Sequence, residues 1–279
     1  PTGLELGCIY ANLGGSVDIA TADEQLLHDV DDDLVALLAD NLPKLFNNVL
    51  LNTAITEIHE EENEVQVTMT SSQGAKTKRY ETVIFVTMRM PSLSKLGLEH
   101  TLVKINDTGF IITDEQQRTA DSNIFAAGDV TDDRMLGCIA DSQGKTAAEV
   151  ISGNPAAFDP QAIPHSIDTI PPIAWCGVTE KQASIENLNV TVKIYKWPCF
   201  ATPSPCDGEV GITKIIADKH NGRVLGIGMA GPGAKELISE GVLAIEMGAL
   251  VEDLALSLHA HPSFSANLKE TAALFFTKK

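Results

Sequence analysis

Apolar residues Leu4, Leu6, Ile9, Tyr10 and Leu13 recur at helical spacing until Gly14-Gly15 interrupts them. The first predicted element is therefore a helix that stops at the glycine pair. Residues 17–20 read as a short strand, and 31–42 as a second helix with an acidic start over 29–33. Carboxylates there meet the positive end of the helix dipole. They read as a solvated helix start, because no glycine turn or spaced Glu completes a calcium loop. Strands are expected over 49–51, 54–59, 64–70 and 80–87. The alternation Val65-Gln66-Val67-Thr68-Met69-Thr70 marks a half-buried strand, and the polar tract 71–79 reads as a hairpin loop. Past Pro91 the pattern becomes irregular, with short strands at 110–113 and 123–127 and a helix over 139–152 closed by Gly153-Asn154-Pro155.

The character changes after Pro164. Strands are expected over 173–176, 190–195, 212–218 and 224–230, the last two joined by the Asn-Gly turn His220-Asn221-Gly222-Arg223. Helices over 235–247, 251–256 and 266–276 finish the pattern. Strands followed by helices, without alternation, indicate α+β architecture.

The chain has 279 residues, which suggests about two domains. Its formal net charge of -18 repels phosphate backbones and anionic membrane surfaces, so nucleic-acid partners are not expected. No apolar run reaches the roughly 18 residues of a membrane span, and the start lacks a signal-peptide pattern. Five scattered cysteines do not form a disulfide framework, which points to a reducing cytoplasm. Cys199 and Cys206 flank a Pro-rich loop and read as unpaired thiols, and Cys8, Cys138 and Cys176 read as small core residues.

Three segments can carry chemistry. Gly3-Leu4-Glu5-Leu6-Gly7 opens a helix that a strand follows, so Gly3 could be the packing glycine of a dinucleotide fold or an ordinary helix-packing glycine. The apolar run Ile124-Phe125-Ala126-Ala127 ends in Gly128-Asp129, with Met135-Leu136-Gly137 leading into a helix. Gly128 admits a ligand close to the backbone, Asp129 offers an acceptor to hydroxyls, and the helix start can steady negative charge. A strand-terminal Asp that only caps a turn is the alternative. The third segment, His259-Ala260-His261-Pro262, holds two imidazoles able to act as acid or base. Two ligands do not make a metal site, so no metal is expected.

These segments, in this order, resemble the flavin-dependent pyridine nucleotide–disulfide oxidoreductases and, within them, the dihydrolipoamide dehydrogenase branch. Pro171, Gly177, Thr179-Glu180, Arg223-Val224-Leu225-Gly226, Glu236-Leu237-Ile238, Ala244-Ile245-Glu246-Met247-Gly248 and Leu268-Lys269-Glu270 extend the resemblance over nearly the whole chain. It implies a partial Rossmann-like NAD domain over 1–88, an FAD-contacting central segment over 89–158 and an α+β dimerisation domain over 159–279. It also implies a fragment that lacks the family's N-terminal FAD portion and its redox cysteine pair.

The resemblance further implies oxidation of dihydrolipoyl groups with NAD through FAD and a redox disulfide. A homodimer and association with a 2-oxoacid dehydrogenase complex and its lipoyl domains are implied with it. Residue by residue, His261 takes the place of the catalytic base, and Ala266 stands where the family has its orienting Glu. Asp129, Met135, Leu136 and Gly137 fall at flavin contacts, with Cys138 in place of a histidine. Gly3, Thr21, Ile55, Met88 and Arg89 fall at NAD contacts. Thr21 replaces an acidic ribose-binding residue, and Met88 replaces a glycine. These departures leave two other readings: a flavin disulfide reductase with another substrate, and a non-catalytic dimeric homologue.

Overall fold

The computed structural model describes residues 1–198 and 210–277, so Cys199 and Cys206 lie outside the described residues. The chain forms two compact units, one of Pro1–Val86 with Ala162–Lys279, the other of Thr87–Gln161.

The larger unit is built on a five-stranded antiparallel sheet in the order β6-β7-β10-β9-β8. Its strands are β6 (His165–Ile167), β7 (Ile173–Gly177), β8 (Val190–Trp197), β9 (Gly211–Asp218) and β10 (Val224–Ala230). The sheet is covered on both faces, which is why β9 and β10 read as apolar runs without alternation. One face carries Cys176, Ile215, Ala217, Ile227 and Met229 against α6 (Ala234–Glu246), α7 (Val251–Leu256) and α8 (Ala266–Ala273). The other carries Ile167, Ile173, Ile212 and Ala230 against Leu4 and Cys8 of α1 (Thr2–Asn12) and Leu34 and Leu38 of α2 (Asp32–Ala39).

The N-terminal part adds α3 (Leu42–Leu45) and a parallel pair, β1 (Asp18–Ala20) with β2 (Asn48–Leu50). An antiparallel meander of β3 (Ala54–Glu60), β4 (Val65–Ser71) and β5 (Gly74–Tyr80) follows. Helix α5 (Glu180–Ile185) leads from β7 toward β8, and α4 (Gly137–Ile151) is the long helix of the smaller unit.

Several sequence expectations change in the fold. The tract 71–79 is mostly strand β5, not loop; its exposed side chains carry no apolar period, and backbone pairing with β4 makes the element. The run 80–87 has no ladder beyond Tyr80, although Ile84, Phe85 and Val86 have strand composition, because no described strand pairs with it. Residues 110–113 and 123–127 reduce to single bridges, Ile105 to Ile111 and Arg118 to Phe125. The helix over 31–42 breaks at Asp40-Asn41, and Pro43 fits the first turn of α3, where an N–H would be unpaired anyway. Helix α1 buries Leu4, Gly7 and Cys8, while Ile9, Tyr10 and Leu13 are exposed.

Helix α1 turns its glycine to the sheet because that is where it meets β1. A Cβ on Gly7 would stand 2.8 Å from Ile19 Cδ1 and 3.0 Å from Phe46 Cζ, whereas one on Gly3 would only touch Val86 at 3.8 Å. The close helix–strand approach therefore falls at Gly7, not Gly3.

The acidic start of α2 is not simply solvated. Lys214 of β9 lies on the α2-facing side of the sheet and is 1% exposed. Its ammonium is 3.1 Å from Asp31, 2.7 Å from Asp33 and 2.8 Å from Glu180. Asp31 also accepts the Glu180 N–H at 3.1 and 3.2 Å. Beside them, Lys181 donates to the carbonyls of His28 and Val30 and pairs with Asp32. Gly228 faces Lys214 across the β9–β10 ladder and makes room for Leu34, whose Cδ1 would lie 2.7 Å from a Cβ there. Burial alone would lower the Lys214 pKa; the hydrogen bonds it donates to Asp33 and Glu180, with the carboxylate charges, outweigh it and hold it above the ordinary 10.5.

Removing this ammonium leaves the buried Asp31 carboxylate without its cation, so Lys214→Ala should cost about 3–5 kcal/mol in urea unfolding. A group whose pKa rises on folding stabilises fully below its unfolded value. The Lys214 contribution should therefore persist up to about pH 10.5 and disappear as pH climbs through the folded value. A loss under about 1 kcal/mol, the range of surface pairs, would show that the carboxylates relax into water.

Candidate functional site

The smaller unit gathers the residues expected near a flavin. Gly128 begins a single 3-10 turn over Gly128–Val130, with φ +80. That left-handed φ suits glycine, and a Cβ there would press on the Ala140 Cβ at 3.1 Å, so the turn sits directly on α4. The buried Gln143 of α4 fastens it: Oε1 accepts the Gly128 N–H at 2.7 Å and the Thr131 hydroxyl at 3.0 Å. Asp129 projects from this turn with its side chain 49% exposed.

The approach to α4 is shaped by Met135, buried and at φ 50, and by Leu136 at the N-cap position. No side chain caps the first turn of α4, so its leading backbone N–H groups remain available to an acceptor. Gly137 is exposed, and nothing lies within 4 Å of where its Cβ would be. Arg89 joins the group. Its guanidinium donates to the Met135 carbonyl at 3.1 Å and lies 3.7 Å from an Asp129 carboxylate oxygen. The structure thus brings Arg89, Asp129, Met135, Leu136 and Gly137 together, while Met88, 86% exposed, makes no hydrogen bond among the described residues.

Gly3, Thr21 and Ile55 belong to the larger unit, so the expected NAD contacts divide between the two units. Thr21 follows β1 and continues its pairing: its N–H donates to the Leu50 carbonyl, and its carbonyl accepts from Thr53. Its hydroxyl donates to Asp23 Oδ2 at 3.0 Å, while the Asp23 N–H returns to that hydroxyl at 3.2 Å. The Asn52 N–H holds the Asp23 carbonyl at 2.9 Å. An exposed carboxylate therefore stands at this strand end, supplied two residues after the position where sequence reasoning looked for it. Ile55, in β3, is partly exposed. Asp18, inside β1, is occupied structurally: burial would raise its pKa, but hydrogen bonds from Lys78, Asn48 and Tyr80 lower it.

The two histidines of the third segment are treated differently by the fold. His261 is exposed, precedes a cis peptide to Pro262, and has no hydrogen bond or ion pair to a described residue. Position 266, its expected orienting partner, is Ala at the start of α8. His259 instead is buried against Glu240 of α6. Cys8 and Cys176 are buried as expected, and burial raises both thiol pKa values, that of Cys176 to about 12. Such thiols are poor nucleophiles. Cys138 departs from expectation: it is exposed, because the second position of α4 faces away from the Gly128 turn.

Missed in the sequence were Gln143 and Asp23. Gln143 carries a weak signal as a polar residue on the buried stripe of a helix, and Asp23 none beyond its closeness to Thr21.

Taken with its sheet-and-helix architecture, this constellation belongs to the mixed α/β class in which ligands meet strand ends and helix starts. Residues 1–149 match the pyridine nucleotide-disulphide oxidoreductase model, and residues 163–272 match the dimerisation domain of the same oxidoreductases. The chain belongs to the pyridine nucleotide-disulphide oxidoreductase family. Among curated relatives, the dihydrolipoyl dehydrogenase of Vibrio cholerae is 36% identical over 274 residues, 98% of this chain and 58% of that protein. That of Buchnera aphidicola (subsp. Acyrthosiphon pisum) is 37% identical with the same coverage. The chain thus spans about 58% of the length of these relatives. The flavoprotein disulfide reductase RclA of Escherichia coli, solved as a Cu(II) complex, superposes with TM-score 0.86 at 25% identity, over 98% of this chain and 63% of that one. LpdA of Mycobacterium tuberculosis shares the fold with TM-score 0.87 at 24% identity, over 98% of this chain and 59% of that one. No helix of the described residues is long and apolar enough to cross a membrane.

Gln143→Leu should leave the buried Gly128 N–H unpaired, costing about 1–3 kcal/mol. Thermal unfolding reads that loss, and the amide NMR signals of Gly128 and Asp129 should shift with it. A variant as stable as the parent, with those signals in place, would show that the turn holds itself.

Proposed function

We propose that this chain is the dinucleotide-binding, flavin-contacting and interface part of a dihydrolipoyl dehydrogenase-like oxidoreductase. Residues 1–88 would serve NAD, 89–158 FAD, and 159–279 a two-fold interface. The carrying observation is the Gly128–Asp129 turn, clamped by Gln143 beside the uncapped start of α4. An exposed carboxylate next to free helix N–H groups fits a polyhydroxylated chain attached to a ring that takes up negative charge. Bound FAD supplies the two-electron chemistry that side chains lack. Asp129 would accept from the ribityl hydroxyls, Met135 to Gly137 would line the ring with backbone, and Arg89 would hold Asp129 and the Met135 carbonyl in place.

On the NAD side, Asp23 supplies the acceptor that Thr21 does not. A carboxylate favours a free ribose hydroxyl and opposes a 2′-phosphate, so NAD is favoured over NADP. His261, exposed and with no hydrogen bond to a described residue, would take a proton from a dithiol presented by the partner subunit, leaving the thiolate, the reactive form. The match of 163–272 to a dimerisation domain supports a homodimer. Association with a 2-oxoacid dehydrogenase complex and its lipoyl domains follows from the same reading, as does a cytoplasmic setting for the free thiols of Cys8, Cys138 and Cys176. A second reading, a non-catalytic dimeric homologue, draws on Ala266: no described carboxylate supports the His261 ring.

Both readings meet in one experiment. The chain is joined behind a dihydrolipoyl dehydrogenase N-terminal portion that brings the redox cysteines, and dihydrolipoamide-dependent NADH formation is measured. His261→Gln should lower turnover roughly 100- to 10,000-fold with FAD content unchanged, and Ala266→Glu should raise it. Turnover that ignores both substitutions removes His261 from the mechanism, and a flavin-loaded but inactive chimera supports the non-catalytic reading.

In the same chimera, Asp23→Ala should raise KM for NAD about tenfold and narrow the preference over NADP, since one charged hydrogen-bond acceptor is lost. An unchanged NAD to NADP ratio would free Asp23 from the ribose.

A further inference from the structure

The His259 side chain is 7% exposed, and both of its ring nitrogens lie close to an oxygen. Nε2 lies 2.9 Å from Glu240 Oε1, and Nδ1 lies 3.2 Å from the Ser257 carbonyl oxygen. A carbonyl and a carboxylate only accept, so the ring meets them as a hydrogen-bond donor. Glu240 lies in α6 between Ile238 and Gly241, which are buried against the sheet. Ser257 closes α7. The imidazole therefore joins a rigid helix, the end of a second helix, and the segment that carries His261 two residues later. Glu240 from α6 also lines a groove that carries Asp253 from α7, which is engaged by the Leu250 N–H at 2.8 Å.

We propose that His259 is a positioning residue: tied to Glu240 and to the Ser257 carbonyl, it fixes the segment that presents His261. The proposal rests on the assignment of His261 as the proton acceptor and deepens it. In this chain the carboxylate support sits one histidine earlier, on His259, and acts on His261 through the backbone. A carboxylate hydrogen bond to a buried ring is charge-assisted, so it can hold a short segment against local opening.

The test uses the whole chain with ¹⁵N-labelled histidine. In the parent chain, NMR should show a downfield His259 ring N–H that is protected from exchange, the sign of a hydrogen bond to a carboxylate. Glu240→Gln, which keeps the shape and removes the charge, should abolish that signature. It should also speed amide exchange over residues 257–262 by roughly 10- to 100-fold, the factor expected for one charge-assisted hydrogen bond. Glu240→Asp should restore part of the signature and the protection. His259→Gln should reproduce the faster exchange; if that variant does not fold, the two Glu240 variants carry the test. The absence of a protected His259 ring N–H in the parent chain overturns the proposal, and so does unchanged exchange in Glu240→Gln. His261→Gln should leave the His259 signature and the exchange rates as they are. Failure of the base assignment in the chimera is therefore seen separately from failure of the tether.

Discussion

One ammonium group meets three carboxylates where two parts of the chain come together. Lys214 sits in a central strand, on a face otherwise lined by isoleucines, and is fully covered by the start of α2. A buried cation is tolerated only with partners, and a buried carboxylate likewise. Asp31 and Asp33 come from the start of α2 and Glu180 from the start of α5, so the charges fix where both helix starts lie. Hydrophobic burial alone would not do this, because apolar contacts are non-directional. The Gly228–Leu34 contact shows the steric side of the same constraint: the helix can come close enough to cover Lys214 only where the neighbouring strand has no side chain.

The smaller unit repeats this logic with neutral groups. Gln143 uses one oxygen to hold the Gly128 N–H and the Thr131 hydroxyl, and Ala140 leaves just enough room for the turn to lie on the helix. The Asp129 side chain is then presented outward, beside the free N–H groups of α4 and the Arg89 guanidinium. The turn that carries Asp129 is fastened to a helix, and its backbone cannot shift without unpairing a buried donor. Catalytic and binding geometry depends on such support more than on the identity of the exposed group.

At the C-terminal end, two histidines separated by one residue have opposite fates. His259 turns in to Glu240, and His261 is exposed with no hydrogen bond to a described residue. Exposure is what a group needs if it is to meet a thiol from another subunit, and anchoring is what its neighbour can give.

Much of this was legible in the sequence because it depends on local patterns. Helical spacing marked α1, α4 and α6, apolar runs marked β7, β9 and β10, and Asn221-Gly222 marked the turn between the last two. The Gly-Asp step before a helix and the His-x-His-Pro segment were visible as chemistry, and together they carried the resemblance to the family. The rest was decided by contacts between residues far apart in the chain. Strand β5 has no apolar period, so only its ladder with β4 makes it a strand, while Ile84-Phe85-Val86 has the composition of one and lacks a partner. The acids before α2 looked solvated because the lysine that neutralises them lies about 180 residues away. Gly7 rather than Gly3 takes the close approach because of where Ile19 and Phe46 pack. The His259–Glu240 pair links positions 19 residues apart across two helices. Sequence determines which groups a chain owns and the period at which they recur; which of them meet depends on the angles at which helices and strands pack, and one-dimensional spacing does not contain those.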